Sequence, residues 1–302
     1  MILPSPTYCT GNEQRYMAEA MASGHLCGDG PFTRRCEQWL ESTLHAQRVL
    51  LTNSGTAALE MAALLCNLQP GDEVIMPSFT FTSTATAFVR LGATPVFVDV
   101  DPISCNISPE LVAAAITPKT RAIVPVHYAG KACAMEDIVC IARKHHLWII
   151  EDAAQAILSR QGNKYLGTIG HLGCLSFHES KNIQCGEGGA LIINDKALME
   201  RAEILREKGT NRSAFFRGQV SKYVWMDIGS SYVLGELNAA FLWAQLEQAE
   251  NILHKRICNF KTYHEQLRYP SQLGQFSIPP YEEPYEGNGH IFYVITQDHK
   301  AR

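Results

Sequence analysis

Short apolar segments rich in β-branched residues alternate along most of the chain with longer segments of helical periodicity. We predict strands for the apolar runs and helices between them. Because the runs are nearly continuous, we expect a mostly parallel sheet flanked by helices on both faces, which is an α/β fold. The predicted strands are Arg48–Thr52, Glu73–Pro77, Thr94–Val100, Arg121–Val126, Leu147–Glu151, Gly173–Phe177 and Gly189–Ile193.

The C-terminal part has a different pattern. Apolar residues recur at steps of three and four from Leu234 to Leu267, which predicts one long helix between two domains. A linker rich in Pro, Gly and Tyr follows, and then a single strand-like run at His290–Thr296. We therefore expect a large domain over residues 1–250. Residues 251–302 would form the bridging helix and a truncated, incomplete small C-terminal domain.

Composition narrows the classes of protein. The 302 residues carry 26 basic and 30 acidic side chains, so we expect neither nucleic acid nor an acidic membrane as a partner. No apolar stretch reaches the roughly 18 residues that a spanning helix needs. Ten scattered cysteines without a CxxC pattern predict a reduced, cytoplasmic protein. No HExxH or similar pattern predicts a metal site.

Polar residues follow several predicted strands, where parallel sheets bind their ligands. Asn53–Thr56 lies between a strand and a helix, so Gly55 and the free N–H groups of the helix start favour a phosphate. An ordinary helix N-cap by Ser54 or Thr56 is the alternative. The segment thus predicts either an anion cradle or a simple cap.

Three further positions suggest a cofactor. Asp152 follows a buried run, where a carboxylate needs a cationic partner unless it caps a helix. Lys181, in a polar loop, is a candidate nucleophile because burial lowers the pKa of an amine, although most lysines are solvated. Phe81 either stacks on a planar ring or packs in the core. With the phosphate cradle, these groups match what pyridoxal phosphate requires, namely a carboxylate for its pyridine nitrogen and a lysine for its aldehyde.

Six segments resemble motifs of the DegT/DnrJ/EryC1/StrS sugar aminotransferases: NSGTAAL, PSFTFTST, PVHYAG, EDAAQ, SFHESKNIQCGEGGA and ELNAA. The resemblance implies a fold-type I pyridoxal-phosphate-dependent transferase. It implies that Lys181 is the catalytic lysine that binds the cofactor, and that Asp152 partners the pyridine nitrogen. The other cofactor-binding residues that it implies are Gly55, Thr56, Phe81, Gln155 and Ser176.

The segments GDGPFTRRCEQWLE, REKGTNRSAFFRGQVSKY and DIGSSY are similar to one branch of that family. The branch makes dTDP-4-amino-4,6-dideoxygalactose for enterobacterial common antigen. It implies transfer of the amino group of L-glutamate to C4 of dTDP-4-keto-6-deoxy-D-glucose, with Lys181 moving the proton, in a homodimer with shared active sites. His290 matches a family motif near the substrate. Val233 stands where the family often places an asparagine from the second subunit.

Two alternatives stay open. The chain could be another nucleotide-sugar aminotransferase, acting at C3 or giving the gluco epimer. It could also be a catalytically silent, truncated scaffold, since family enzymes have further residues that complete the small domain. Lys181 argues against the family's dehydratases, in which a histidine replaces this lysine.

Overall fold

The computed structural model describes residues 8–298, and its centre is a seven-stranded sheet. Two short antiparallel ladders lie outside the sheet. The strands are β1 (Arg48–Thr52), β2 (Glu73–Pro77), β3 (Thr94–Val98), β4 (Thr120–Ile123), β5 (Trp148–Asp152), β6 (Arg160–Gln161), β7 (Lys164–Tyr165), β8 (Leu172–Ser176), β9 (Gly189–Ile193), β10 (Phe276–Ser277) and β11 (Ile295–Thr296). In the central sheet the order is β1-β9-β8-β5-β4-β2-β3, and every neighbouring pair is parallel except the two that β9 makes.

Helices cover this sheet. Over residues 8–298, none combines the length and the apolar character that crossing a bilayer requires. The helices are α1 (Glu13–Ala22), α2 (Pro31–Leu44), α3 (Gly55–Leu65), α4 (Thr82–Val89), α5 (Pro109–Ala114), α6 (Met135–His145), α7 (Met199–Arg206), α8 (Arg212–Phe216), α9 (Glu236–Leu246) and α10 (Ala249–Gln272).

The core lies on both faces of the sheet, because successive strand residues point to opposite sides. In β1, Val49 and Leu51 pack in a cluster with α1, α2 and α9. Leu50, between them, packs on the other face with α3, α4 and α7. The α/β prediction with a mostly parallel sheet is confirmed. The fourth predicted strand ends earlier than expected, at Ile123, since Pro125 has no N–H to donate to a ladder.

The single long helix predicted from Leu234 to Leu267 is wrong. α9 ends at Leu246 and α10 begins at Ala249. At the break, the Glu247 carboxylate accepts hydrogen bonds of 2.7 and 2.9 Å from the Tyr16 hydroxyl of α1. Leu246, Ala249 and Leu253 stay buried on either side, so the spacing of apolar residues continues across a break that it cannot reveal.

The C-terminal segment also differs from expectation. The extended ladder covers Ile295–Thr296 rather than all of His290–Thr296, and it pairs with Phe276–Ser277. The preceding segment rich in Pro, Gly and Tyr packs on α10, where the Tyr285 ring stacks on Phe260 at a centroid distance of 5.0 Å. The segment is therefore packed and not a free linker. The division at residue 250 stays a prediction.

Candidate active site

A cavity of about 420 Å³ lies at the carboxyl ends of the parallel strands. Its wall is built mostly from the residues that end or follow β1, β2, β4, β5 and β8, as expected for a parallel α/β sheet. Of the predicted site residues, His290 does not line this cavity. The other seven do: Gly55, Thr56, Phe81, Asp152, Gln155, Ser176 and Lys181.

The start of α3 forms one end of the cavity. The Ser54 hydroxyl accepts a hydrogen bond of 3.0 Å from the Ala57 N–H, so Ser54 is the N-cap. The Thr56 hydroxyl is instead 2.7 Å from that of Ser83. Among the described residues the Gly55 and Thr56 N–H groups have no acceptor, as the first N–H groups of a helix require outside partners. They remain available to an anion.

Two glycines of this cradle lie close to neighbouring chain segments. A methyl group at Gly55 would lie 3.0 Å from Ser176 Cβ, tighter than ordinary packing. A methyl group at Gly189 in β9 would overlap the Ser54 backbone. The glycine cluster that follows Lys181 therefore lets β9 pack directly against the helix start, and only the folded chain shows this.

Asp152 is a buried carboxylate with donors but no cationic partner. Its Oδ2 accepts a hydrogen bond of 2.8 Å from the Thr84 hydroxyl, and its Oδ1 accepts one of 3.2 Å from the Ala154 N–H. Over residues 8–298 it forms no ion pair, and no helix begins after it, so the N-cap alternative is wrong. A buried carboxylate that has hydrogen-bond donors but no ion pair can take a protonated ring nitrogen as its cationic partner.

The adjacent Glu151 points to the other side of β5 and has a structural role. Its carboxylate accepts hydrogen bonds of 2.8, 2.7 and 2.6 Å from the N–H groups of Gly167, Ile169 and Gly170. It also pairs with His127 Nε2 at 2.9 Å. Because His127 Nδ1 accepts from the Cys133 N–H, its proton is on Nε2 and is donated to Glu151. This network holds the loops behind the cavity.

Lys181 is partly buried and lines the same cavity. Burial lowers the pKa of its amine, and the negative charge of Asp152 offsets part of that effect. Within the described residues its Nζ makes no hydrogen bond, so the amine is free to react. An amine with a lowered pKa is more often unprotonated near neutral pH, which nucleophilic attack on an aldehyde requires.

Gln155 and two aromatic residues complete the wall. Gln155 Oε1 accepts a hydrogen bond of 2.6 Å from the Ala129 N–H, which leaves its amide N–H₂ to donate to a ligand. Phe81 is 76% exposed, so it does not pack in the core and its ring is available for stacking. Phe79 and Tyr128, whose ring centroids are 4.9 Å apart, extend this aromatic surface.

His290 lies behind Lys181. Its Nδ1 is 2.9 Å from Oδ1 of Asn182, whose amide N–H₂ donates to the Asn288 carbonyl at 2.9 Å. Asn288 in turn donates to the Gln155 carbonyl at 2.9 Å. Burial, together with the positive charges of Lys181 and Arg256, lowers the pKa of His290 to about 3, so the ring is neutral. Direct contact of His290 with substrate stays a prediction.

Several residues of this site were not predicted from the sequence. Thr84 and Ser83 lie in the segment PSFTFTST, whose hydroxyl groups are a signal, but the pattern does not say which of them face the cavity. Tyr128, Gly189 and Asn182 likewise lie in quoted motifs without an assigned role. Three further polar residues line the cavity near Lys181 and were also not predicted: His178, Ser180 and Glu187.

These residues fit pyridoxal phosphate in three independent ways. The start of α3 offers unpaired N–H groups to a phosphate. Asp152 offers an unpaired buried charge to a pyridine nitrogen, and Lys181 offers an amine of lowered pKa to an aldehyde. The assignment of each residue to the cofactor stays a prediction.

Comparisons with known proteins agree with this geometry. GDP-perosamine synthase of Caulobacter vibrioides is 34% identical over 286 residues, which cover 95% of this chain and 74% of the relative. The aminotransferase from Psychrobacter cryohalolentis superposes with a TM-score of 0.91 at 30% identity, covering 98% of this chain and 78% of that one. NtdA of Bacillus subtilis, solved with bound PMP, superposes with a TM-score of 0.85 at 29% identity, covering 95% and 63%.

The model of the DegT/DnrJ/EryC1/StrS aminotransferase family matches residues 8–301, which is nearly the whole chain. The match includes all the motifs in which the cavity residues lie. The cofactor that the motifs imply is the one that the family uses. The chain belongs to the DegT/DnrJ/EryC1/StrS aminotransferase family, which uses pyridoxal phosphate and includes sugar aminotransferases among the relatives of this chain.

Proposed function

We propose that this protein transfers the amino group of L-glutamate to C4 of dTDP-4-keto-6-deoxy-D-glucose. The products are dTDP-4-amino-4,6-dideoxy-D-galactose and 2-oxoglutarate. The observation that carries the proposal is one cavity that unites Lys181, the unpaired carboxylate of Asp152 and the start of α3.

In this reaction the residues of the cavity would have separate roles. Pyridoxal phosphate, when bound, supplies an aldehyde that accepts the amino group and a ring that withdraws electrons from the reacting carbon. The N–H groups of Gly55 and Thr56 would hold its phosphate, with Ser176 beside them. Asp152 would keep its ring nitrogen protonated. The Lys181 amine would carry the proton between the reacting carbon atoms, since an amine of lowered pKa both accepts and returns a proton.

The choice of nucleotide and sugar carbon rests on the resemblance of two loops, GDGPF and GTNRS. The structure supports a joint role, because one residue ties them together. Asp29 in the first loop pairs with Arg206 at the end of α7, and its other oxygen is 3.9 Å from Arg212 in the second loop. A relative that is named as a synthase of a GDP-linked product supports a nucleotide sugar as the substrate.

We also propose a homodimer with shared active sites, located in a reducing, cytoplasmic environment. All ten cysteines are free thiols, as such an environment would give. The homodimer is supported by a segment after α7 in which eight large apolar side chains are exposed, because contiguous apolar surface of this kind marks a protein interface. These residues are Phe215, Phe216, Val220, Tyr223, Val224, Trp225, Met226 and Ile228.

One experiment tests the proposal against its two alternatives, namely another nucleotide-sugar aminotransferase and a catalytically silent scaffold. The purified chain would be loaded with pyridoxal phosphate and given L-glutamate, while the visible absorbance of the cofactor is followed. It would then be given dTDP-4-keto-6-deoxyglucose, a dTDP-linked 3-keto sugar or a GDP-linked 4-keto sugar. NMR spectra of the products would give the position and the configuration of the new amino group.

The proposal expects conversion of the dTDP-linked 4-keto sugar to the galacto product. Turnover of another keto sugar in preference, or a gluco product, would assign the chain to a different nucleotide-sugar aminotransferase. A folded protein that binds the cofactor without reacting with glutamate would be the silent scaffold.

A further inference from the structure

A second, smaller cavity adjoins the first, and Lys181 lines both. This second cavity has a volume of about 160 Å³ and is lined by Gln184 and by residues of α10. Apart from Lys181, its charged residues are Lys255 and Arg256, opposed by the exposed carboxylate of Glu179. The balance of charge is positive, so the cavity suits an anion.

Arg256 is the first unsatisfied group here. It is partly buried on α10, and within residues 8–298 its guanidinium forms no ion pair and no hydrogen bond. Burial lowers the pKa of Arg256. The charges of Arg256 and Lys181 both act on the His290 ring, so both cations lie near that ring. A partly buried, unpaired cation is costly, which points to an anionic ligand between α10 and Lys181.

Gln184 is the second unsatisfied group. Its side chain is only 4% exposed. Its Oε1 accepts a hydrogen bond of 2.9 Å from the Gly186 N–H, which fixes the orientation of the amide. Its Nε2 then has no partner in the described part of the chain. A buried amide N–H without an acceptor costs free energy unless a ligand supplies the acceptor.

We infer that the second cavity is a carboxylate subsite for the amino donor, in which Arg256 and Gln184 bind the side-chain carboxylate of a dicarboxylic amino acid such as L-glutamate. The inference rests on the proposed function, because a donor that reacts beside Lys181 can reach a subsite that shares this lysine. At about 30 Å³ for each water-sized group, the cavity has room for roughly five such groups. A carboxylate with a short aliphatic chain has about this size.

The test uses glutarate, a five-carbon dicarboxylate that has neither an amino nor a keto group and cannot react with the cofactor. Glutarate, dTDP and inorganic phosphate would each be titrated calorimetrically into protein loaded with pyridoxal phosphate. The variants are Arg256→Gln and Gln184→Leu. The matched control is Arg268→Gln, an exposed arginine of the same helix that lines neither cavity.

We expect Arg256→Gln to raise the Kd for glutarate by about tenfold or more, the usual effect of losing a hydrogen bond between charged groups. Gln184→Leu should raise it by about threefold or more, because it removes one N–H donor to a charged acceptor. Arg268→Gln should leave it unchanged, and the Kd for dTDP should be unchanged in all three variants.

Unchanged glutarate affinity in both site variants would overturn the inference. So would a parallel loss of dTDP affinity, which would assign the cavity to a diphosphate, or phosphate binding as tight as that of glutarate. If melting curves show that Arg256→Gln does not fold, Gln184→Leu decides, since it replaces a buried amide whose Nε2 has no partner within residues 8–298 with an apolar group of similar volume. Because glutarate binding needs no turnover, the inference can fail while the proposed function holds, and the reverse.

Discussion

The Thr84 hydroxyl donates a hydrogen bond of 2.8 Å to Oδ2 of Asp152, and the two side chains belong to different layers of the fold. Thr84 is in the first turn of α4 and Asp152 ends β5. The bond holds the carboxylate toward the cavity while the Ala154 N–H engages its other oxygen. The orientation of this charge therefore depends on a helix that is distant in sequence.

Replacing Thr84 tests that dependence. Thr84→Val keeps the shape of the side chain and removes one of the two donors to a buried carboxylate. We expect a loss of about 1–3 kcal/mol in the free energy of unfolding. We also expect a fall of about ten- to a hundredfold in the rate of the glutamate half-reaction, because the carboxylate is less well placed. Urea denaturation and single-turnover absorbance measure the two effects.

Thr86→Val is the matched control, since the Thr86 hydroxyl donates to the Thr82 carbonyl at 3.0 Å within α4 and is exposed. Its unfolding free energy should stay within about 0.5 kcal/mol of that of the unmodified protein. Equal half-reaction rates in both variants would show that Thr84 does not position Asp152.

Asp152→Asn separates charge from packing. The amide keeps the size of the carboxylate and removes a buried charge that has no cationic partner. Without cofactor, the variant should be at least as stable as the unmodified protein, because an unpaired buried charge is costly. Turnover should fall by about 10²–10³-fold, since no charge then holds the ring nitrogen protonated. Near-normal turnover would mean that another group performs this function.

Lys181→Ala should abolish the adduct that borohydride fixes between protein and cofactor. Since burial lowers the pKa of Lys181, its removal should not reduce stability. Mass spectrometry after reduction shows the adduct, and Lys144→Ala, at the exposed end of α6, is the control that should retain it. In the unmodified protein, formation of the adduct should reach half its maximal rate at a pH below the ordinary lysine pKa. A covalent adduct in Lys181→Ala would assign the role to another lysine.

Gly55→Ala should weaken cofactor binding more than it weakens the fold. The new methyl group would lie 3.0 Å from Ser176 Cβ and 3.3 Å from the Leu175 carbonyl oxygen, in the cradle proposed for the phosphate. We expect the Kd for pyridoxal phosphate to rise by about tenfold, as one lost hydrogen bond to a charged group would cause.

Gly235→Ala, before the first turn of α9, is the control, because a methyl group there meets its nearest neighbour at an ordinary 3.6 Å. Fluorescence titration gives the two Kd values and thermal melting gives the two stabilities. Equal cofactor affinity in both glycine variants would place the phosphate elsewhere.

His290 should make the protein sensitive to acid. Its pKa in the folded protein is about 3, below its ordinary value, so between about pH 6.5 and 3 the unfolded chain binds a proton that the folded chain does not. The contribution of His290 to the free energy of unfolding is thus fully present above about pH 6.5. It decreases as the pH falls toward 3, by up to about 1.4 kcal/mol per pH unit. Urea midpoints for His290→Asn should therefore decline less between pH 7.5 and 5 than those of the unmodified protein.

Asn182→Ala is the control for this experiment, since it removes the hydrogen bond to His290 but keeps the titratable ring. Its stability should be lower at every pH, and its decline toward pH 5 should remain. If His290→Asn declines as steeply as Asn182→Ala, His290 is not the group that responds to acid.

The sequence alone was sufficient for the fold class and for most of the cavity wall. Continuous apolar runs indicate strands that are covered on both faces. The pattern is visible in the sequence because a strand buried on both faces has apolar residues at nearly every position. The residues after these runs, such as Gly55, Asp152 and Lys181, meet at one edge because parallel strands end together. For this reason, polar residues far apart in the chain could be assigned to one site.

The spacing of apolar residues could not predict a helix break across which that spacing continues unchanged. The break after Leu246 leaves the apolar spacing intact, so the sequence predicts one helix where the structure has two. At the break, Glu247 accepts hydrogen bonds from the Tyr16 hydroxyl of α1, more than two hundred positions away. A long-range hydrogen bond of this kind has no local signature.

Tertiary structure also decided which polar side chains have partners. Asp152 and Glu151 are neighbours of identical charge, yet Glu151 is saturated by backbone N–H groups and His127 while Asp152 faces the cavity. Likewise, within residues 8–298, the Gln184 Nε2 group and the Arg256 guanidinium lie without partners beside Lys181, although Gln184 Oε1 accepts a hydrogen bond from Gly186. The sequence determined which chemical groups the chain carries and near which strand ends they lie. Three-dimensional packing decided which of them are satisfied and which remain free to bind, because that depends on donors and acceptors brought together from distant parts of the chain.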